Sequence, residues 1–175
     1  MHRHFHDELQ ELNQEIIKMA EKVKAAINHS IKALDKRDGE IAEEVIRRDD
    51  EIDAIEIEID EKCIDLIAKY QPMASDLRFI TTGMRINAEL ERMADLAVNI
   101  SQRVLEIVNQ PLVKPLIDIP KLSQVAEKMI HDSIKAYIEG DAELAKKVAF
   151  SDDEADKLRN NIKNELSIAI KGMTK

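Results

Sequence analysis

The segment SIKALDKRDGEIAEEVIRRDDEID, residues 30–53, lies over SIKAYIEGDAELAKKVAFSDDEAD, residues 133–156, without a gap and at a constant offset of 103; twelve of the 24 positions are identical. A duplicated unit commits a chain to stacking one copy of a supersecondary motif on the other. The periodicity within the copies is helical, so the repeated unit is a set of packed helices.

In the first segment Leu9, Leu12, Ile16, Met19, Val23, Ala26, Ser30 and Ala33 recur at steps of three and four, opening after Asp7 as a cap. The pattern breaks at Lys36-Arg37-Asp38-Gly39. A second helix carries Ile41, Val45, Ile52, Ile55, Ile59 and Leu66 and ends before Pro72. A third is expected from about Leu77, capped by Ser75 or Asp76. Its apolar positions are Phe79, Gly83, Ile86, Leu90, Met93, Ala97, Ile100, Val104 and Ile107. Apolar steps averaging about 3.5 residues suit long, nearly antiparallel helices. Three of the four prolines fall in QPLVKPLIDIPK, residues 110–121, which cannot continue a helix. Two more helices are expected, from about Lys121 to Glu139 and from about Asp141 onward.

The expected fold is therefore all-α, a tandem repeat of antiparallel three-helix bundles. Residues 1–110 make the first bundle, 111–120 a Pro-rich linker, and 121–175 two helices of a second bundle. By the repeat offset, the counterpart of the third helix would begin near residue 175, so the second bundle lacks its third helix in this sequence. Further chain or a partner chain would have to cover the apolar faces left open.

Charge narrows the function classes. A formal net charge of −9 argues against tracking the phosphates of DNA or RNA, which takes clustered Lys and Arg. The single cysteine, Cys63, excludes an internal disulfide and suits a reducing compartment. No apolar stretch approaches the roughly 20 residues that span a bilayer, and MHRHFHDELQ holds no signal-peptide apolar region. A cytoplasmic protein is expected.

Carboxylates form the main chemical feature. On the second helix Asp49, Asp53, Glu56 and Asp60 step by four, three and four, a column along one flank of the apolar face. On the third, Glu91 and Asp95 stand one turn apart. With the apolar face centred between Leu90, Met93 and Ala97, they lie roughly 130° to 170° from it, outward, beside Met84, Ala88 and Val98. Like charges at this spacing repel unless a cation intervenes. Antiparallel packing would let Asp49 and Asp53 meet Glu91 and Asp95 at one level. Four hard oxygen donors suit Mg²⁺, Mn²⁺ or iron. The plainer alternative is a solvated acidic face. At the repeat offset Asp49 and Asp53 become Asp152 and Asp156, whereas Glu56 and Asp60 become Arg159 and Lys163.

Other features point to no chemistry. His2, His4 and His6 lie at a terminus prone to fraying. His29 and His131 are lone helical residues, Cys63 reads as a small core residue, and Met19, Met84, Met93 and Met129 as packing. The four glycines are isolated, with no phosphate-cradling loop and no nucleophile-elbow pattern. No His follows a Glu by three positions, which removes the ferritin-like di-iron pattern.

Four stretches together carry a family resemblance: HFHDEL at 4–9, DDEID at 49–53, QPMASDLR at 71–78 and ELERMADLAVNI at 89–100. The chain resembles, over its whole length, the PhoU family of regulators of bacterial phosphate transport. The resemblance implies a duplicated three-helix bundle with multinuclear metal clusters, often iron or zinc, on paired Asp and Glu. The matching pairs are Asp49 with Asp53, Glu91 with Asp95, and Asp152 with Asp156. It also implies a negative regulator, not an enzyme, that restrains phosphate uptake and the starvation response. Such a protein contacts a sensor histidine kinase and the ATP-binding subunit of the phosphate transporter. A homodimer is expected, reaching the membrane only through those partners, with Arg78 and Arg92 of the two motifs meeting them. The alternative is a regulatory module of another ion or phosphate transporter.

Overall fold

The computed structural model describes residues 2–110 and 115–173; residues 111–114 of the expected linker lie outside the described residues, as does the side chain of His2. The described residues form five α-helices and no strand: α1 (His2–Lys36), α2 (Gly39–Tyr70), α3 (Ala74–Ile107), α4 (Asp118–Glu139) and α5 (Ala142–Met173). None of them is long and apolar enough to cross a membrane.

Helix ends depart from the sequence expectation wherever a tertiary contact outweighs a local signal. α1 begins at His2 rather than after Asp7, because its first turns are pinned to the end of α2. Phe5 is buried against Tyr70, ring centroids 5.1 Å apart, and Glu8 accepts hydrogen bonds from Lys69 at 2.5 Å and Tyr70 at 2.8 Å. α3 begins at Ala74, with Met73 in the cap position and no side-chain cap, so Ser75 and Asp76 lie inside the first turn. α4 begins at Asp118 and takes Pro120 into its first turn, where a missing N–H costs nothing.

The turns follow the sequence closely. Asp38 caps α2, its Oδ1 accepting from the N–H groups of Glu40 and Ile41 at 3.0 and 3.2 Å. Arg37, at φ 56°, directs its guanidinium to the carbonyls of Ile107, Val108 and Gln110, tying the α1–α2 turn to the end of α3. Asp141 accepts from the Leu144 N–H at 2.9 Å at the start of α5.

α1, α2 and α3 pack on one another, α4 packs on α1, and α5 on α4. Leu12, Ile16, Met19 and Val23 of α1 meet Ile52, Ile59 and Leu66 of α2 and Ile80, Leu90 and Ala94 of α3. Ile130 and Ile134 of α4 join the same cluster. Each Val, Leu, Ile or Met side chain among them contributes about 1.5–3 kcal/mol when fully buried. Cys63 is buried here too, its thiol pushed up to about 12 by burial and then by Asp60 and Glu15, which leaves it unreactive. α5 is different: none of its described side chains is fully buried, and Phe150 and Ile168 are 75% and 72% exposed.

α4 also touches α3 at one end. The Tyr137 ring stacks on Phe79 at 4.4 Å, and its hydroxyl donates to the Phe79 carbonyl at 2.8 Å. Gly83 makes the room: a Cβ there would lie 2.7 Å from the Tyr137 hydroxyl oxygen.

Candidate metal centre

The level at which α2 and α3 face each other is fixed by a buried residue. Asn87, fully enclosed on α3, donates from Nδ2 to the Glu56 carbonyl of α2 at 2.8 Å. Moving one turn along each antiparallel helix, four residues on α3 and three on α2 or about 5–6 Å, brings Asp53 near the level of Glu91; a further turn brings Asp49 near that of Asp95.

Electrostatics agree with that register. Asp49 is half-buried, and burial raises its carboxyl to about 6, helped by the charges of Asp53, then Asp95 and Glu91. Glu91 is raised in the same way, by burial first, then by Asp95, Asp53 and Glu56. Glu56 is raised by burial, then Asp60 and Asp53. Asp49 and Glu91 therefore feel acids from the opposite helix, and among the described residues no Lys or Arg lies within ion-pair distance of Asp49, Asp53, Glu91 or Asp95.

One part of the sequence expectation is corrected. Glu91 and Asp95 do not lie opposite the core. The buried face of α3 runs through Ile80, Gly83, Asn87, Leu90, Ala94, Ala97, Ser101 and Val104, centred on Ala94 rather than Met93. That rotation brings Glu91 to the flank beside α2, half-buried, with Asp95 exposed next to it. Phe79, Met93 and Ile100, expected inside, are half-buried on the side toward α4.

The donor set fits a hard divalent or ferric cation: carboxylate oxygens only, mutually repelling and without protein cations. It is arranged as two facing pairs rather than a closed cage, and among the described residues no three Asp, Glu, His or Cys side chains are placed to hold one ion. In the second repeat Asp152 is exposed, and Asp156 pairs with Arg159 at 3.0 Å on its own helix. α4 has no two acids four residues apart to face them. Arg78 and Arg92 are exposed on α3. His4, His6 and His131 are exposed and His29 half-buried.

Sequence reasoning missed Asn87, Gly83 with Tyr137, and Lys62, which donates to Glu15 at 2.7 Å and Glu11 at 3.2 Å. Asn87 was detectable as a lone amide within an apolar stretch. The Tyr137 contact carries no local signal, because its partners lie on other helices.

Comparison with known proteins assigns this arrangement to a family. The Phosphate-specific transport system accessory protein PhoU homolog of Aquifex aeolicus is 43% identical over 159 residues, which cover 91% of this chain and 72% of the relative. The crystal structure of PhoU from Pseudomonas aeruginosa matches with a TM-score of 0.89 at 28% identity, over 96% of this chain and 81% of that one. That of the phosphate transport system regulatory protein PhoU from Streptococcus pneumoniae matches at 0.87 and 27% identity, over 96% and 79%. A family model for the PhoU domain matches residues 16–104 and 119–174, so both repeats are included and the chain belongs to the PhoU domain family.

Proposed function

We propose that this chain is an accessory regulator of a phosphate-specific transport system, acting in the cytoplasm without catalysing a reaction. It restrains phosphate uptake and the starvation response by contacting a sensor histidine kinase and the transporter's ATP-binding subunit. Support comes from the relatives, named for accessory or regulatory roles in phosphate transport. It comes also from a helical surface suited to docking on partners.

The observation that carries the metal part of the reading is the facing of Asp49 and Asp53 by Glu91 and Asp95, with the Asp49 and Glu91 carboxyls raised by burial and then by the neighbouring acids. These four residues would hold iron, zinc, manganese or magnesium. A cation there would neutralise the repulsion and clamp α2 to α3. Asp152 and Asp156 are the weaker pair, since Arg159 already neutralises one of them.

Two experiments test the reading. Plasma mass spectrometry on untagged protein should find metal in the wild type and lose it in Asp49→Asn/Asp95→Asn, with His2, His4 and His6 intact. Metal absent from both after reconstitution would remove the site. The intact chain should also capture the kinase and the ATP-binding subunit in pull-down. Capture of neither would refute the regulatory role.

A further inference from the structure

The duplication supplies an internal control for the outer side of α2. At the offset of 103 the buried Ile55, Ile59 and Cys63 correspond to Leu158, Ile162 and Leu166, so the apolar register of the two copies continues past residue 53. The solvent side does not follow. Ile57 and Ile64, 55% and 54% exposed, correspond to Asn160 and Ser167. Across residues 53–65 the first copy has six acids and one base, Lys62, whereas residues 156–168 of the second have two acids and three bases. The helical framework therefore requires neither the isoleucines nor the acids at these positions.

Ile57 and Ile64 stand two turns apart on one stripe, about 10 Å, with Asp60 and Glu61 between them. Counting from the hydrogen bond of Asn87 to Glu56, antiparallel α3 sets Met84 and Ala88 at the level of Ile57, and Leu77, 37% exposed, near that of Ile64. A shallow apolar strip thus runs along the outer side of α2 and α3, rimmed by Glu56, Asp60, Glu61 and Asp65. Among the described residues none of these four acids is ion-paired. Both lysines of α2 are turned the other way, Lys62 held by Glu11 and Glu15 and Lys69 by Glu8, all on α1. The strip belongs wholly to the first bundle. Among the described residues α2 packs on α1 and α3 alone, so by the repeat a counterpart of α3 in the second copy would meet α4, α5 and α1, not this side of α2.

We infer that this strip is a docking surface for an amphipathic helix of a partner protein, one that carries branched apolar residues at seven-residue spacing with Lys or Arg between them. Matched apolar spacing lets two helices lie nearly parallel with the isoleucines enclosed between them. The unpaired carboxylates around the isoleucines select a cationic partner. They also turn away a second copy of this chain, which would set the same acids against themselves. Single exposed isoleucines are ordinary; two on one stripe, absent from that stripe in the less acidic copy, mark a binding face. The surface rests on the regulatory reading above for the identity of its partner and uses none of the four carboxylates of the candidate metal centre.

The test uses the full chain, with chelator present, and a fluorescent synthetic helix of about 18 residues that carries isoleucines seven apart with Lys between them. Companion peptides carry Gln or Glu in place of Lys. Fluorescence anisotropy should give the Lys peptide a Kd at least tenfold below that of the Gln peptide, and weaker binding still of the Glu peptide. Ile57→Asn/Ile64→Ser and Asp60→Lys/Glu61→Asn install residues of the second copy, so both should keep their circular dichroism. Each should weaken the Lys peptide at least tenfold. Asp35→Lys/Glu139→Asn makes the same change in net charge as the second variant, at exposed positions elsewhere, and should weaken it less than threefold. No binding of the Lys peptide, an equal loss in the Asp35/Glu139 control, or unchanged binding by the isoleucine variant would each overturn the proposal. So would a dimer in sedimentation equilibrium that Ile57→Asn/Ile64→Ser dissociates, because a second copy would then hold the face. Pull-down separates this surface from the regulatory role. Undiminished capture of the kinase and transporter subunit by the isoleucine variant would overturn the surface and leave the role standing; capture of neither by the wild type, with the Lys peptide bound as expected, would remove the role and leave the surface.

Discussion

Replacing Asp49 by Asn should stabilise the metal-free protein at neutral pH, an unusual outcome for a half-buried polar residue. The Asp49 carboxyl is raised from 3.8 to about 6 in the folded chain, by burial and by Asp53, Asp95 and Glu91. At about 1.36 kcal/mol per unit the full shift would be about 3 kcal/mol, and solvent contact at this flank cuts that to about 1 kcal/mol. The sign follows from proton linkage. A group whose folded value lies above its unfolded one binds protons more tightly when folded, so its stabilising contribution is present below about pH 4 and lost as pH rises through 6. Asn keeps the shape and never ionises. Its advantage over Asp should be near zero at pH 4, grow through pH 5 and 6, and level off above 7. Urea unfolding with chelator present measures that difference at each pH, and thermal unfolding at pH 7.5 should show a rise of about 2–4 °C. Saturating Mn²⁺ or Zn²⁺ should invert the order, because only the wild type gains binding free energy, about 2.7 kcal/mol at one hundred times Kd. A pH-independent difference between the two proteins, or a destabilised variant at pH 7.5, would refute the electrostatic reasoning.

Gly83→Ala should cost about 1–3 kcal/mol by driving a methyl into the Tyr137 hydroxyl, and less than half of that in a Tyr137→Phe background; thermal unfolding of the four-protein cycle checks it, and additive effects would place the strain elsewhere. Ser101 is fully buried with no hydrogen-bond partner for its Oγ, so Ser101→Ala should stabilise by up to about 1 kcal/mol in urea unfolding, and a loss of more than about 0.5 kcal/mol would mean the hydroxyl is satisfied.

Most helix positions were legible because each helix is long enough to repeat its apolar pattern many times. In α1 the expected Leu12, Ile16, Met19, Val23, Ser30 and Ala33 are all buried. Errors cluster where local and tertiary signals compete. Asp7 is a good cap in isolation, but Phe5 and Glu8 gain more from α2 than a cap at Asp7 would give. In α3 small residues misled the reading. Ala94 and Ser101 line the buried face together with the expected Gly83 and Ala97 because helices approach closely there, while larger Met93 and Ile100 turn toward α4. Weighting positions by side-chain size rotated the expected core and moved Glu91 and Asp95 outward. The level of the acids was legible even so, since a short turn at Pro72 and equal helical rise fix which residues face each other.

The two repeats answer the same electrostatic problem differently. In the second copy the positions of Glu56 and Asp60 hold Arg159 and Lys163, and Arg159 pairs with Asp156 one turn away, so repulsion is relieved within a single helix. In the first copy the column on α2 stays acidic over its whole length and α3 adds two further acids to it, with no described Lys or Arg close enough to compensate. One sign change would remove the strain, as the second copy demonstrates on the same framework. An arrangement that forgoes about 1 kcal/mol at neutral pH is expected where the charges serve binding rather than folding. The first repeat is therefore the one whose stability should respond to added cation, and Asp152→Asn should leave that response unchanged.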